Sequence, residues 1–155
     1  MKIGGNFKKR KGHCLVGDKV VPRGSNSFYW KLNKEYGLKV YYGLERSIFC
    51  SANCVKKVAR RMNRWSKLGL SIEALKVFPV SINIRYDGEK IKGEAWAIKT
   101  RNMDMSKGGK AKERFKQKVC EKSEKYGLPY KKDSSKDVNI GYDKQLKAYR
   151  LVDVA

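Results

Sequence analysis

One histidine, three prolines and 15 acidic residues are all that this chain of 155 residues sets against 37 lysines and arginines. The lone histidine, His13, sits beside a basic run near the start of the chain. No nucleophile has an imidazole partner in reach of the sequence pattern, which argues against acyl transfer or acid–base catalysis centred on histidine. Long apolar runs are also missing. No stretch approaches the roughly 18 consecutive apolar residues of a membrane helix, and Met1-Lys2-Ile3-Gly4-Gly5 lacks the apolar segment of a signal peptide. No membrane partner is therefore expected. The four cysteines, Cys14, Cys50, Cys54 and Cys120, are then expected as buried, reduced thiols. A cytoplasmic address follows, that of the host cell if the protein is viral.

The scarcity of acid leaves a formal net charge of +22. Such an excess speaks to partners rather than to fold, because self-repulsion destabilises a compact state until an anion relieves it. Hydrophobic residues still make up 41% of the chain, well above a disordered composition, so a packed core is expected.

Residues 1–12, with Lys8-Lys9-Arg10-Lys11 among glycines, read as a flexible basic arm ahead of a single α+β domain over 13–155. A strand is expected over Cys14–Val21. Phe28–Leu32 and Tyr36–Tyr42 read as two more strands of an antiparallel meander. Ser51 or Asn53 caps a helix that runs to about Leu68, with Gly69 as its stop. Val55, Val58, Ala59, Met62 and Trp65 recur at helical spacing and face inward, while Lys56, Lys57, Arg60, Arg61, Arg64 and Lys67 fill the other side. Val80, Ile82, Ile84 and Tyr86 alternate as a strand, and Asp87-Gly88 signals a type I′ hairpin. A second helix is expected over 107–126, with Ala111, Phe115, Val119 and Tyr126 inward. A last hairpin joins Asn139–Tyr142 to Leu146–Val152.

The order of these elements, and several residues on them, resembles the protein-kinase-like fold, in particular the short kinase-like proteins of phage genomes. Gly24 and Ser25 stand where such proteins place a glycine-rich loop over phosphates, and Lys39 matches the strand lysine that pairs with the α- and β-phosphates. Trp96–Arg101 corresponds to an edge strand and hinge. Lys136-Asp137-Val138-Asn139 resembles the catalytic loop and Leu151-Val152-Asp153 the segment whose aspartate binds metal. The resemblance implies an antiparallel, N-lobe-like sheet packed on the first helix, a reduced helical part and a C-terminal hairpin. It further implies ATP as cofactor, with Asn139 and Asp153 as Mg²⁺ ligands.

The departures bear on activity. Ser134 occupies the position of the catalytic aspartate, which leaves Asp133 and Lys136 as the nearest catalytic candidates. The first helix has no glutamate to pair with Lys39, and the sequence runs only two residues past Asp153. The expectation is a pseudokinase that binds a phosphate-bearing partner without efficient phosphotransfer.

A non-sequence-specific nucleic-acid binder is the alternative, since each lysine or arginine on a phosphate releases counterions. In that reading Tyr29, Trp30, Tyr41 and Tyr42 either stack on bases or, as favoured here, belong to the core. A third possibility is a viral inhibitor that docks on an acidic protein surface. His13, Cys14, Cys50 and Cys54 fit a zinc set only loosely, and zinc is not expected.

Overall fold

The computed structural model describes residues 1–10, 13–16, 19–22, 27–43, 48–127 and 140–152. They divide into two compact units, Met1–Ala59 with Ala74–Thr100, and Arg60–Glu73 with Arg101–Ala155. The architecture is α+β, with one large mixed sheet and two long helices.

In the first unit, β1 (Lys2–Arg10), β2 (His13–Val16), β3 (Lys19–Pro22), β4 (Phe28–Lys31), β5 (Tyr36–Val40), β8 (Lys76–Tyr86) and β9 (Glu89–Arg101) form a sheet in the order β3-β2-β1-β8-β9-β5-β4. The edge strands β3 and β4 approach each other, so the sheet curls towards closure and little open edge remains. A short hairpin of β6 (Tyr42–Gly43) and β7 (Ile48–Phe49) follows β5. Strict alternation places Val80, Ile82 and Ile84 inside, against Ile3, Phe28, Leu38, Val40 and Tyr42. At about 1.5–3 kcal/mol for each fully buried aliphatic side chain, this cluster is the main source of the unit's stability. The β8–β9 turn has Asp87 at φ 47° and Gly88 at φ 83°, the two left-handed residues that a type I′ turn demands. Gly93 leaves room for an aromatic ring. A Cβ there would lie 2.7 Å from the Phe49 ring, which packs over β9 and against Tyr42.

Four sequence expectations need correction in this unit. Residues 2–10, read as a flexible arm, form β1, because Ile3 is buried and the backbone pairs in parallel with β8 from Lys2↔Ser81 to Phe7↔Tyr86. The sheet is consequently mixed rather than antiparallel. The strand expected over Cys14–Val21 is instead the β2–β3 hairpin, and β9, expected as an edge strand, lies inside the sheet between β8 and β5.

Helix α1 (Ala52–Lys67) starts as the sequence indicates: the Ser51 hydroxyl accepts the Cys54 amide at 3.3 Å. It stops where Gly69 turns to φ 74° and the Leu70 amide reaches back to the Trp65 carbonyl. Val55, Ala59, Met62 and Trp65 are its buried face.

In the second unit, α2 (Lys110–Lys125) buries Lys112, Phe115, Val119 and Ser123. Ala111 and Tyr126, expected inward, are exposed. The helix begins after Gly109, and its buried residues are spaced as 112-115-119-123, one helical face. Strands β10 (Ile140–Asp143) and β11 (Ala148–Leu151) pair with each other. Leu151 also exchanges hydrogen bonds with Leu70 and Ile72, and Tyr142 does so with Asp104.

Candidate functional site

Lys56, Lys57, Arg60, Arg61, Arg64 and Lys67 are all exposed along α1, which contains no acidic residue. Among the described residues, no carboxylate lies within ion-pair distance of any of the six. Lys56 alone has a π partner, its ammonium standing 5.7 Å from the centre of the Trp96 ring. The contrast with α2 is instructive. There Glu113, Glu121 and Glu124 interrupt the lysines, Lys116 pairs with Glu113 at 3.0 Å, and Gln117 bonds Glu121. In α1 like charges instead face each other at three- and four-residue spacing: Lys56–Arg60, Lys57–Arg60, Lys57–Arg61, Arg60–Arg64, Arg61–Arg64 and Arg64–Lys67. At about 0.2–0.5 kcal/mol each, such pairs disfavour the free helix by on the order of 1–3 kcal/mol. A bound polyanion reverses that sign.

The kinase-like set is only partly within view. Lys39 is half-buried on β5, opposite Tyr29 of β4, with its ammonium 5.8 Å from the centre of the Tyr41 ring. Gly24, Ser25, Asp133, Lys136, Asn139 and Asp153 lie outside the described residues.

No family model, curated protein or solved structure matches this chain.

The four aromatic residues weighed as stacking platforms are packing residues. Tyr41 and Tyr42 are buried, while Tyr29 and Trp30 pack against the sheet core. Burial pushes the Tyr29 hydroxyl up to about 12, with the Thr100 hydroxyl pulling in the other direction. The cysteines differ from expectation, since Cys54 and Cys120 are exposed and Cys50 is half-buried. Cys54 precedes the buried Val55 and falls off the helix's inner face. Partial burial, and then the neighbouring Cys54, push the Cys50 thiol up, away from the thiolate a nucleophile or a metal ligand needs. Among the described residues, no three His, Cys, Asp or Glu side chains are grouped to hold a metal, and no helix is long and apolar enough to cross a membrane.

Sequence reasoning missed a polar cluster in the second unit. Asp143 is buried, its Oδ2 accepting the Arg101 Nε at 3.0 Å and its Oδ1 accepting the Gln145 and Leu146 amides. Nothing in the local sequence announces a pair separated by 42 positions.

Proposed function

We propose that this chain binds a phosphate-bearing polyanion, a nucleic-acid strand fitting best, through the outer face of α1. The observation that carries this reading is the run of six exposed cations on one helix without an acidic neighbour. A helix of 16 residues is about 24 Å long. A duplex carries one charge per about 1.7 Å of its axis, so several phosphates fall within reach of the face. Recognition is of backbone and shape, because the aromatic residues that would stack on bases are taken up by the core. Efficient phosphotransfer is not expected in this reading, as Ser134 stands where the kinase-like pattern has its catalytic aspartate.

The test is binding of a labelled duplex and a labelled single strand by nucleic-acid-free protein across a salt series. The Arg60→Gln/Arg61→Gln/Arg64→Gln variant is compared with the parent chain. Loss of three phosphate contacts should flatten the log–log salt slope by about 2–3. A variant slope equal to the parent's removes α1 from the interface.

Nucleotide binding by a kinase-like fold is a second reading. It draws support from Lys39, which stands on a strand inside the sheet that leads, through the β6–β7 hairpin, to α1. Thermal stabilisation by Mg²⁺–ATP that chelation removes and Lys39→Ala lacks would favour it, and the absence of any shift would end it.

A further inference from the structure

Where α1 ends, three cations from other elements converge. Lys122 donates from Nζ to the Leu68 carbonyl at 2.8 Å, satisfying one carbonyl at the helix end. Lys118, one turn earlier on α2, holds its Nζ 3.4 Å from the point where a side chain at Gly69 would begin. The Arg150 Nη2 of β11 lies 4.0 Å from that same point. Arg150 uses Nη1 to donate to the Tyr149 carbonyl, which fixes the guanidinium.

Helix capping explains Lys122 but not the other two. Among the described residues, the Lys118 ammonium has no acceptor. Asp143, the carboxylate whose charge acts on Arg150, is already engaged by Arg101 at 3.0 Å. The Lys118 ammonium and the Arg150 Nη2, which the bonded Nη1 leaves over, thus hold N–H donors near one place, which is what an oxyanion needs.

We propose that Lys118 and Arg150, backed by Lys122, form a phosphate-binding notch over the bare Cα of Gly69. Glycine is favoured there by φ 74°, and the space that a side chain would enter lies between the two cations. A phosphate oxygen seated in the notch takes one hydrogen from the ammonium and one from the guanidinium. The local electrostatics agree. Desolvation, then the Lys122 and Arg150 charges, hold the Lys118 ammonium below its ordinary range. Desolvation lowers Arg150 as well, with Arg101 adding to the effect and Asp143 opposing it. An arriving anion offsets the like-charge repulsion among these cations.

The phosphate has two possible sources, a backbone phosphodiester of a strand lying on Arg64 and Lys67, or free phosphate. The first source rests on the proposed function of α1.

The experiment compares the parent chain with Lys118→Gln/Arg150→Gln and with Arg60→Gln/Arg61→Gln. Two readouts are taken, thermal stabilisation by inorganic phosphate or pyrophosphate and the salt slope for a duplex. Circular dichroism confirms the fold, and Lys118→Gln/Arg150→Lys, which keeps one charge but loses the planar fork, serves if Arg150→Gln does not fold. A slope lowered by about one in the notch variant assigns the site to a backbone phosphate. Stabilisation by phosphate in the parent and not in the notch variant assigns it to free phosphate. A notch variant equal to the parent in both readouts overturns the notch. If the Arg60/Arg61 variant then still shows a flattened slope, the function of α1 stands, and if it does not, both fall.

Discussion

Removing the Asp143 carboxylate should cost the second unit more than any other single polar substitution among the described residues. Asp143 is 1% exposed and accepts three hydrogen bonds, from Arg101 Nε at 3.0 Å and from the Gln145 and Leu146 amides at 2.9 and 3.1 Å. Two perturbations separate its roles. Asp143→Asn keeps an oxygen for the turn amides and discards the charge. Asp143→Ala discards both and orphans the amides as well as the guanidinium. Breaking a buried ion pair costs about 3–5 kcal/mol, but the Arg101 side chain is 20% exposed and water recovers part of that. The charge should thus contribute about 1–2 kcal/mol and the two turn bonds about 1 kcal/mol each. Urea unfolding followed by tryptophan fluorescence should show Asp143→Asn losing about 1–2 kcal/mol and Asp143→Ala about 3–4 kcal/mol. Equal losses would mean that the Oδ1 bonds do not organise the Lys144–Lys147 turn. A neutral Asp143→Asn would mean that the charge is as well satisfied by water.

Two further outcomes test the first unit. Tyr29 ionises at about 12 in the folded chain against 10.0 ordinarily. The raised value means that its contribution is complete below pH 10 and is lost as pH climbs towards 12, a loss that Tyr29→Phe should remove from the pH–stability profile measured by urea unfolding. Gly93→Ala drives a methyl group to 2.7 Å from the Phe49 ring. It should lower stability by about 1–3 kcal/mol, and combining it with Phe49→Ala should remove the clash contribution, giving a positive coupling in a double-mutant cycle.

The features legible in the sequence were those encoded within a few residues. Ser51 and Gly69 bracket α1, Asp87-Gly88 makes its turn, and the period-two run from Val80 puts its apolar set inside. What escaped was set by distant partners. Lys8-Lys9-Arg10 reads as a solvated tail because the buried Ile3 lies far from that basic run, and a parallel neighbour is invisible in local pattern. On α2 the hydrophobic residues alone pointed to Ala111 and Tyr126. The surroundings of the helix instead bury Lys112 and Ser123 on the same face as Phe115 and Val119. For the site, residue type and helical spacing were enough to expose the α1 face, whereas the notch depends on Gly69, Lys118 and Arg150 meeting from three elements.

The two helices argue that the excess charge is not spread for solubility alone. Both are 16 residues long and rich in lysine or arginine, so a chain selected only for net charge would treat them alike. In α2, acids at Glu113, Glu121 and Glu124 interleave the cations, which shortens the reach of its field and stabilises the helix by local pairs. α1 has none of these and accepts repulsion along its whole outer face. Its intrinsic destabilisation is offset by Val55, Ala59, Met62 and Trp65, whose burial holds the helix without help from surface pairing. With folding supplied by the inner face, the outer one is left to hold uncompensated positive charge in a line, and the proposed polyanion is a ligand whose charges repeat on the same scale.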